Sequence, residues 1–169
     1  MADTIVNRVA ASALITFDLE KLYKIGTRQT IDLSQWLDQG LLLKEKEFRA
    51  QLNAHDWSIY KDQFIALHCS TEAILPTWAF LLITTYLKPH ARKIVLGNLK
   101  DLELQLFLEE IQLLDLSPFK DKPVIIKGCS EKMVPQDAYI QLIAKLQPVV
   151  KSLFYGEACS SVPLYKKKK

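Results

Sequence analysis

Phe64-Ile65-Ala66-Leu67-His68-Cys69-Ser70, followed by Leu75-Pro76-Thr77-Trp78-Ala79-Phe80 and closed by Leu87-Lys88-Pro89, is the stretch that decides the fold of this chain. Four consecutive apolar residues without alternation predict a strand buried on both faces. The apolar-rich run from Thr77 to Lys88 predicts a helix entered at Pro76, because proline is favoured at helix starts. The design returns in Val124-Ile125-Ile126-Lys127-Gly128-Cys129-Ser130, then Val134-Pro135-Gln136-Asp137-Ala138-Tyr139, closed by Leu146-Gln147-Pro148. Pro76 and Pro89 are 13 residues apart, as are Pro135 and Pro148. Cys159-Ser160-Ser161-Val162-Pro163 is a shortened third echo without a helix.

Between the copies, Ile94-Val95-Leu96 predicts another buried strand and Gly97-Asn98 a turn. Leu99, Leu102, Leu106, Phe107, Ile111, Leu113 and Leu114 then predict a helix apolar over a wide arc and buried on more than one side. The last helix is expected over Asp137–Leu153. Upstream, Ile15, Phe17 and Leu19 alternate with polar residues, as do Ile31 and Leu33, which predicts two short half-buried strands that pair or cover a sheet edge. Lys44 to Asn53 reads as a helix with Phe48 and Leu52 on one face, ending near His55-Asp56-Trp57. The expected fold is a single α/β domain over 1–169. It has a small, mostly parallel sheet with helices on both faces, and short N-terminal strands open to an antiparallel extension. Residues 1–60 supply those strands and one helix, 61–155 the β-α-β-α-β-α core, and 156–169 a C-terminal segment with a lysine tail.

The 169 residues, 49% hydrophobic and 24% charged, suffice for a packed core. The longest apolar run, Ala79 to Leu87, is short of the roughly 20 residues that cross a bilayer. Met1-Ala2-Asp3-Thr4 has neither the basic start nor the apolar block of a secretory leader, so a cytoplasmic location without membrane attachment is expected. The net charge is +3, of which the four-lysine tail 166–169 supplies +4, leaving −1 for the rest. That near-neutral body lacks the basic, aromatic-interleaved face of a nucleic-acid binder, and the tail reads as a solvated, frayed end. None of the five glycines falls in a phosphate-binding spacing, and no G-x-S-x-G or H-E-x-x-H motif is present.

Cys69 and Cys129 each follow a predicted strand and precede a predicted helix, at the sheet edge where open α/β folds place their ligands. A helix start there favours a thiolate. If the two strands are neighbours, the Cα atoms lie about 5 Å apart, close enough for a shared metal or a reversible disulfide; with the Ile94 strand between them the gap is about 10 Å. Candidate ligands are Cys69, Cys129, Cys159, His68 and His55, with Asp56 beside them, and the softness of thiolate suits zinc or iron. The spacings of 60 and 30 residues lack the close C-x-x-C knuckle, and a cysteine that merely fills a crowded strand end remains the alternative. Cys69 as an enzyme nucleophile is disfavoured because His68, adjacent on a strand, points to the opposite face. Trp36, Trp57 and Trp78 read as core aromatics.

His55-Asp56-Trp57, His68-Cys69-Ser70, Pro76-Thr77-Trp78-Ala79, Lys127-Gly128-Cys129-Ser130 and Cys159-Ser160-Ser161-Val162-Pro163-Leu164-Tyr165 with its lysine tail together resemble an uncharacterised bacterial family. It is known as domain of unknown function 2480, is found mainly in the Bacteroidetes, and the likeness covers nearly the whole chain. The resemblance carries no catalytic residues. It implies an accessory role beside the sulfur-mobilisation machinery of iron–sulfur cluster assembly, whose proteins are the expected partners. The expected function is therefore a cysteine-based protein that binds a metal or cluster or carries sulfur. The alternative is a non-catalytic protein-interaction module with structural cysteines.

Overall fold

The structure, a computed structural model, describes residues 14–128, 131–157 and 160–168. Strands β1 (Ile15–Phe17) and β2 (Arg28–Asp32) precede helix α1 (Glu45–Ala54). Then come β3 (Phe64–His68), α2 (Thr77–Leu87), β4 (Lys93–Leu96), the long α3 (Leu99–Leu113), β5 (Pro123–Ile126), α4 (Gln136–Leu146), β6 (Ser152–Glu157) and β7 (Ser160–Lys166). The α/β class and the mostly parallel pairing follow the apolar runs as expected: four strand pairs are parallel and β6–β7 is antiparallel.

The strands divide between two sheets, and the chain between two compact units. One unit, residues 24–105, carries the sheet β2-β3-β4. Its core gathers Ile31, Leu33, Trp36, Phe48, Leu52, Trp57, Ile65, Leu67, Ala79 and Ile83. The other, residues 1–23 with 106–169, carries β1-β5-β6-β7. There Phe17, Leu19, Phe107, Ile111, Val124, Ile126, Ala138 and Leu142 make the core. The early strands thus do not pair with each other; each covers the parallel edge of a different sheet, β1 against β5 and β2 against β3.

The two units repeat one plan. Thr16-Phe17-Asp18-Leu19 and Thr30-Ile31-Asp32-Leu33 each place an aspartate at or just past the end of a first strand; its carboxylate accepts the backbone N–H two residues on, at 3.0 Å in both, and so starts a 3-10 turn. Later elements correspond with a constant shift of 59 positions. Phe48 and Leu52 match Phe107 and Ile111, all buried. Asp56, which accepts from Ser58, matches Asp115, which accepts from Ser117. Asp62 and Asp121 share a left-handed backbone, with φ of 60° and 54°. Ala79, Ile83 and Leu87 on α2 match Ala138, Leu142 and Leu146 on α4, every one at 0% exposure.

Three expectations need correction. The last helix stops at Leu146 rather than Leu153, because Pro148 cannot continue it, and Leu153 instead lies in β6 at the centre of a core. Residues 160–166, read as an echo and a tail, form an edge strand. Lys166 belongs to that strand, and Lys167 donates its backbone N–H to the Lys151 carbonyl at 3.0 Å and its Nζ to Asp121 at 3.2 Å, so the tail is not frayed at these positions. Strand β3 and strand β5 belong to different sheets, so neither neighbouring nor once-removed strands set a spacing between Cys69 and Cys129.

Candidate functional site

Each sheet presents the carboxyl ends of its parallel strands at one edge, where the first aspartate organises the chain. In the β2-β3-β4 unit, Asp32 Oδ1 accepts the backbone N–H groups of Ser34 and Ser70, both at 3.0 Å, and so ties the loop after β3 to the end of β2. Burial works to raise the pKa of this carboxyl, but hydrogen bonds from Ser70 and Ser34 outweigh it and hold the group far below the usual carboxylate range. Such an anion is a structural clamp and a poor general base.

Cys69 follows β3 and is half-buried against the core on the α1/α2 side; its Sγ lies 3.3 Å from Thr71 Oγ1, whose hydroxyl donates to the Gly40 carbonyl. His68 is turned the other way, into a recess of about 460 Å³ lined by Thr30, His68, Asn98, Leu99 and Lys100. The strand alternation that separates Cys69 from His68 also keeps them from converging on one ion. His55 sits among Trp36, Trp57 and Tyr60, with Nε2 3.2 Å from the Tyr60 hydroxyl. Asp56 is engaged in capping Ser58. Among the described residues, no three His, Cys, Asp or Glu side chains lie close enough together to hold a metal ion.

The matching edge of the other unit is charged. Lys127 Nζ, one residue beyond β5, donates to Asp18 Oδ2 at 3.0 Å. Asp18 is pulled two ways: desolvation raises its pKa, while the Lys127 hydrogen bond and charge and the Glu20 N–H prevail and lower it. Gly128 lies close to the Tyr155 ring, where an added Cβ would come within 3.0 Å of Cζ, and Tyr155 donates its hydroxyl to the Gly128 carbonyl at 3.4 Å. Cys129 and Cys159 lie outside the described residues. Their chain neighbours do not: Gly128 follows the end of β5, and Glu157 and Ser160, which pair across β6 and β7, flank residues 158–159. Strands β5 and β6 are paired in parallel up to Ile126 and Tyr155.

The observed register also realigns the internal repeat. Leu67 pairs with Ile31 and Ile126 with Phe17, each one residue ahead of the organising aspartate. Counting from there, Gly128 takes the place of Cys69 and Cys129 that of Ser70, and the one-residue difference in loop length disappears. Sequence reading missed Asp18, Asp32, Thr30 and Lys100. The signal for the aspartates was the Thr-x-Asp-Leu box printed twice, 14 residues apart. Trp36 and Trp57 are core residues, 6% and 7% exposed.

A family model described as a protein of unknown function, DUF2480, matches residues 3–167. No curated protein and no solved structure matches the chain.

Proposed function

We propose, on the premise that this chain belongs to the DUF2480 family, that it is a thiol-based binding protein whose working pair is Cys129 and Cys159. The observation that carries this reading is the pairing of β5 with β6 and of β6 with β7: it brings the chain neighbours of both cysteines to the same edge of one sheet. Cys69 belongs to the other unit and is outside the pair. Two thiolates make half of a tetrahedral zinc or iron site, and an incomplete ligand set suits a carrier that receives or passes on a soft ion better than a permanent structural centre. The partners this implies are proteins of iron–sulfur assembly.

The test is titration of the reduced, anaerobic full-length chain with Co²⁺ and then Zn²⁺, followed through thiolate-to-cobalt absorption. One equivalent is expected to bind, with Cys69→Ser retaining it and both Cys129→Ser and Cys159→Ser losing it. Absence of a thiolate band, or its loss in Cys69→Ser alone, would overturn the proposal.

A second reading, a protein-interaction module, is favoured by a separate observation. Matching positions of the two units both expose apolar side chains: Ile74 and Met133, Leu81 and Ile140, Leu96 and Tyr155. It replaces the first reading if the cobalt titration is blank and all three thiols react no faster than those of the unfolded chain.

A further inference from the structure

The two units carry the same strand edge with different electrostatics. Beside Lys127 stand Asp18, in contact at 3.0 Å, and the carboxylates of Glu20 and Glu157, which further support its charge. At the corresponding places of the other unit are His68 for Lys127, Asp32 for Asp18, Ser34 for Glu20 and Asn98 for Glu157. Two of the three acids have thus become neutral, and the third, Asp32, spends its Oδ1 on the Ser34 and Ser70 N–H groups. Lys100 adds a cation at the rim. Asp101 is near in sequence, but its Oδ2 is turned back onto the Asn98 N–H at 2.7 Å, and it is not among the residues that line the recess.

The recess therefore collects the Lys100 ammonium, the His68 imidazole, one hydroxyl and one amide beside the apolar Leu99, with no carboxylate in its wall among the described residues. The first backbone N–H groups of α3 are already taken: Asn98 Oδ1 accepts from Lys100 N at 2.7 Å and from Asp101 N at 3.3 Å. Affinity must come from side chains, and the half-buried His68 imidazole has no hydrogen-bond partner among the described residues. A metal ion is the wrong occupant beside a lysine; an oxyanion matches, because it accepts hydrogen bonds from the Lys100 ammonium, from a His68 ring N–H and from the Thr30 hydroxyl together.

We propose that this recess is an oxyanion site, built for the carboxylate or phosphate group of a small ligand, with His68 and Lys100 as its principal hydrogen-bond donors. Its lining includes neither cysteine of the thiol pair, and the proposal does not depend on that pair. The experiment follows the His68 imidazole resonances of the full-length chain by NMR during titration with inorganic phosphate and, separately, with acetate, both at constant ionic strength set by chloride. A saturable shift of His68 with either anion is expected, the tighter one identifying the class. Lys100→Ala and His68→Ala should each weaken binding about tenfold or more, the latter read from the Thr30 and Lys100 amides. Lys127→Ala, in the other unit, should leave it unchanged. Shifts that rise linearly with both anions, or that persist undiminished in Lys100→Ala, would overturn the proposal.

Discussion

At the residue scale the fold turns on two aspartates. Asp18 follows β1 and Asp32 ends β2, and in both the apolar alternation continues one residue too far, through Leu19 and Leu33, so a period-two reading extends the strand into what is a 3-10 turn. Periodicity cannot register the turn because both leucines are buried, as the alternation would place them in a strand. The carboxylate makes the difference, by taking the N–H two residues on. Asp32→Ala is expected to cost about 1–2 kcal/mol, a lost cap plus the lost tie to the Ser70 N–H, measured by urea unfolding. The pH dependence has a definite sign. A carboxyl held below its unfolded value of 3.8 contributes its full stability above about pH 4 and loses it as pH falls towards the folded pKa. The wild type should therefore lose more stability than Asp32→Ala between pH 5 and about pH 2; parallel curves would show that Asp32 is not the clamp described.

At the element scale, the helices and the buried strands were legible because each is a run of one pattern. Leu67 is buried after three apolar neighbours, and α1 and α2 begin within a residue or two of where spacing put them. What failed was the join after α4. Residues 149–153 are apolar enough to extend the helix, and only Pro148 marks the change to β6. Gly97 and Gly156, one after each third strand or within it, have φ of 137° and 119°, which side-chain-bearing residues rarely adopt. A Cβ at Gly97 would collide with the Asp101 side chain, and one at Gly156 would come within 2.6 Å of the Ser160 carbonyl. Gly97→Ala and Gly156→Ala should each cost about 1–3 kcal/mol in thermal or urea unfolding, and a neutral result for either would contradict the strained turn.

At the scale of the whole molecule, the repeat was visible as an echo, but its nesting was not. The β2-β3-β4 unit is inserted between β1 and the rest of the other unit, so the strand that completes a sheet with β5 is found more than a hundred residues earlier. Sequence order therefore suggested one sheet where pairing makes two, with the strands before Cys69 and Cys129 in different sheets. Hydrogen exchange should read the plan directly: the slowest amides are expected in β3 and β5, the buried strands with a partner on both sides, with comparable protection in each. Slower exchange in β2 or β7, at the sheet edges, would be inconsistent with this topology.

The claim that Cys129 and Cys159 form the working pair is tested most directly by dibromobimane, which fluoresces only when it bridges two nearby thiols. The full-length chain and Cys69→Ser should both become fluorescent, with the bridge mapping by mass spectrometry to the peptides carrying Cys129 and Cys159, and Cys129→Ser and Cys159→Ser should remain dark. Fluorescence that survives in Cys159→Ser, or that vanishes in Cys69→Ser, would contradict it.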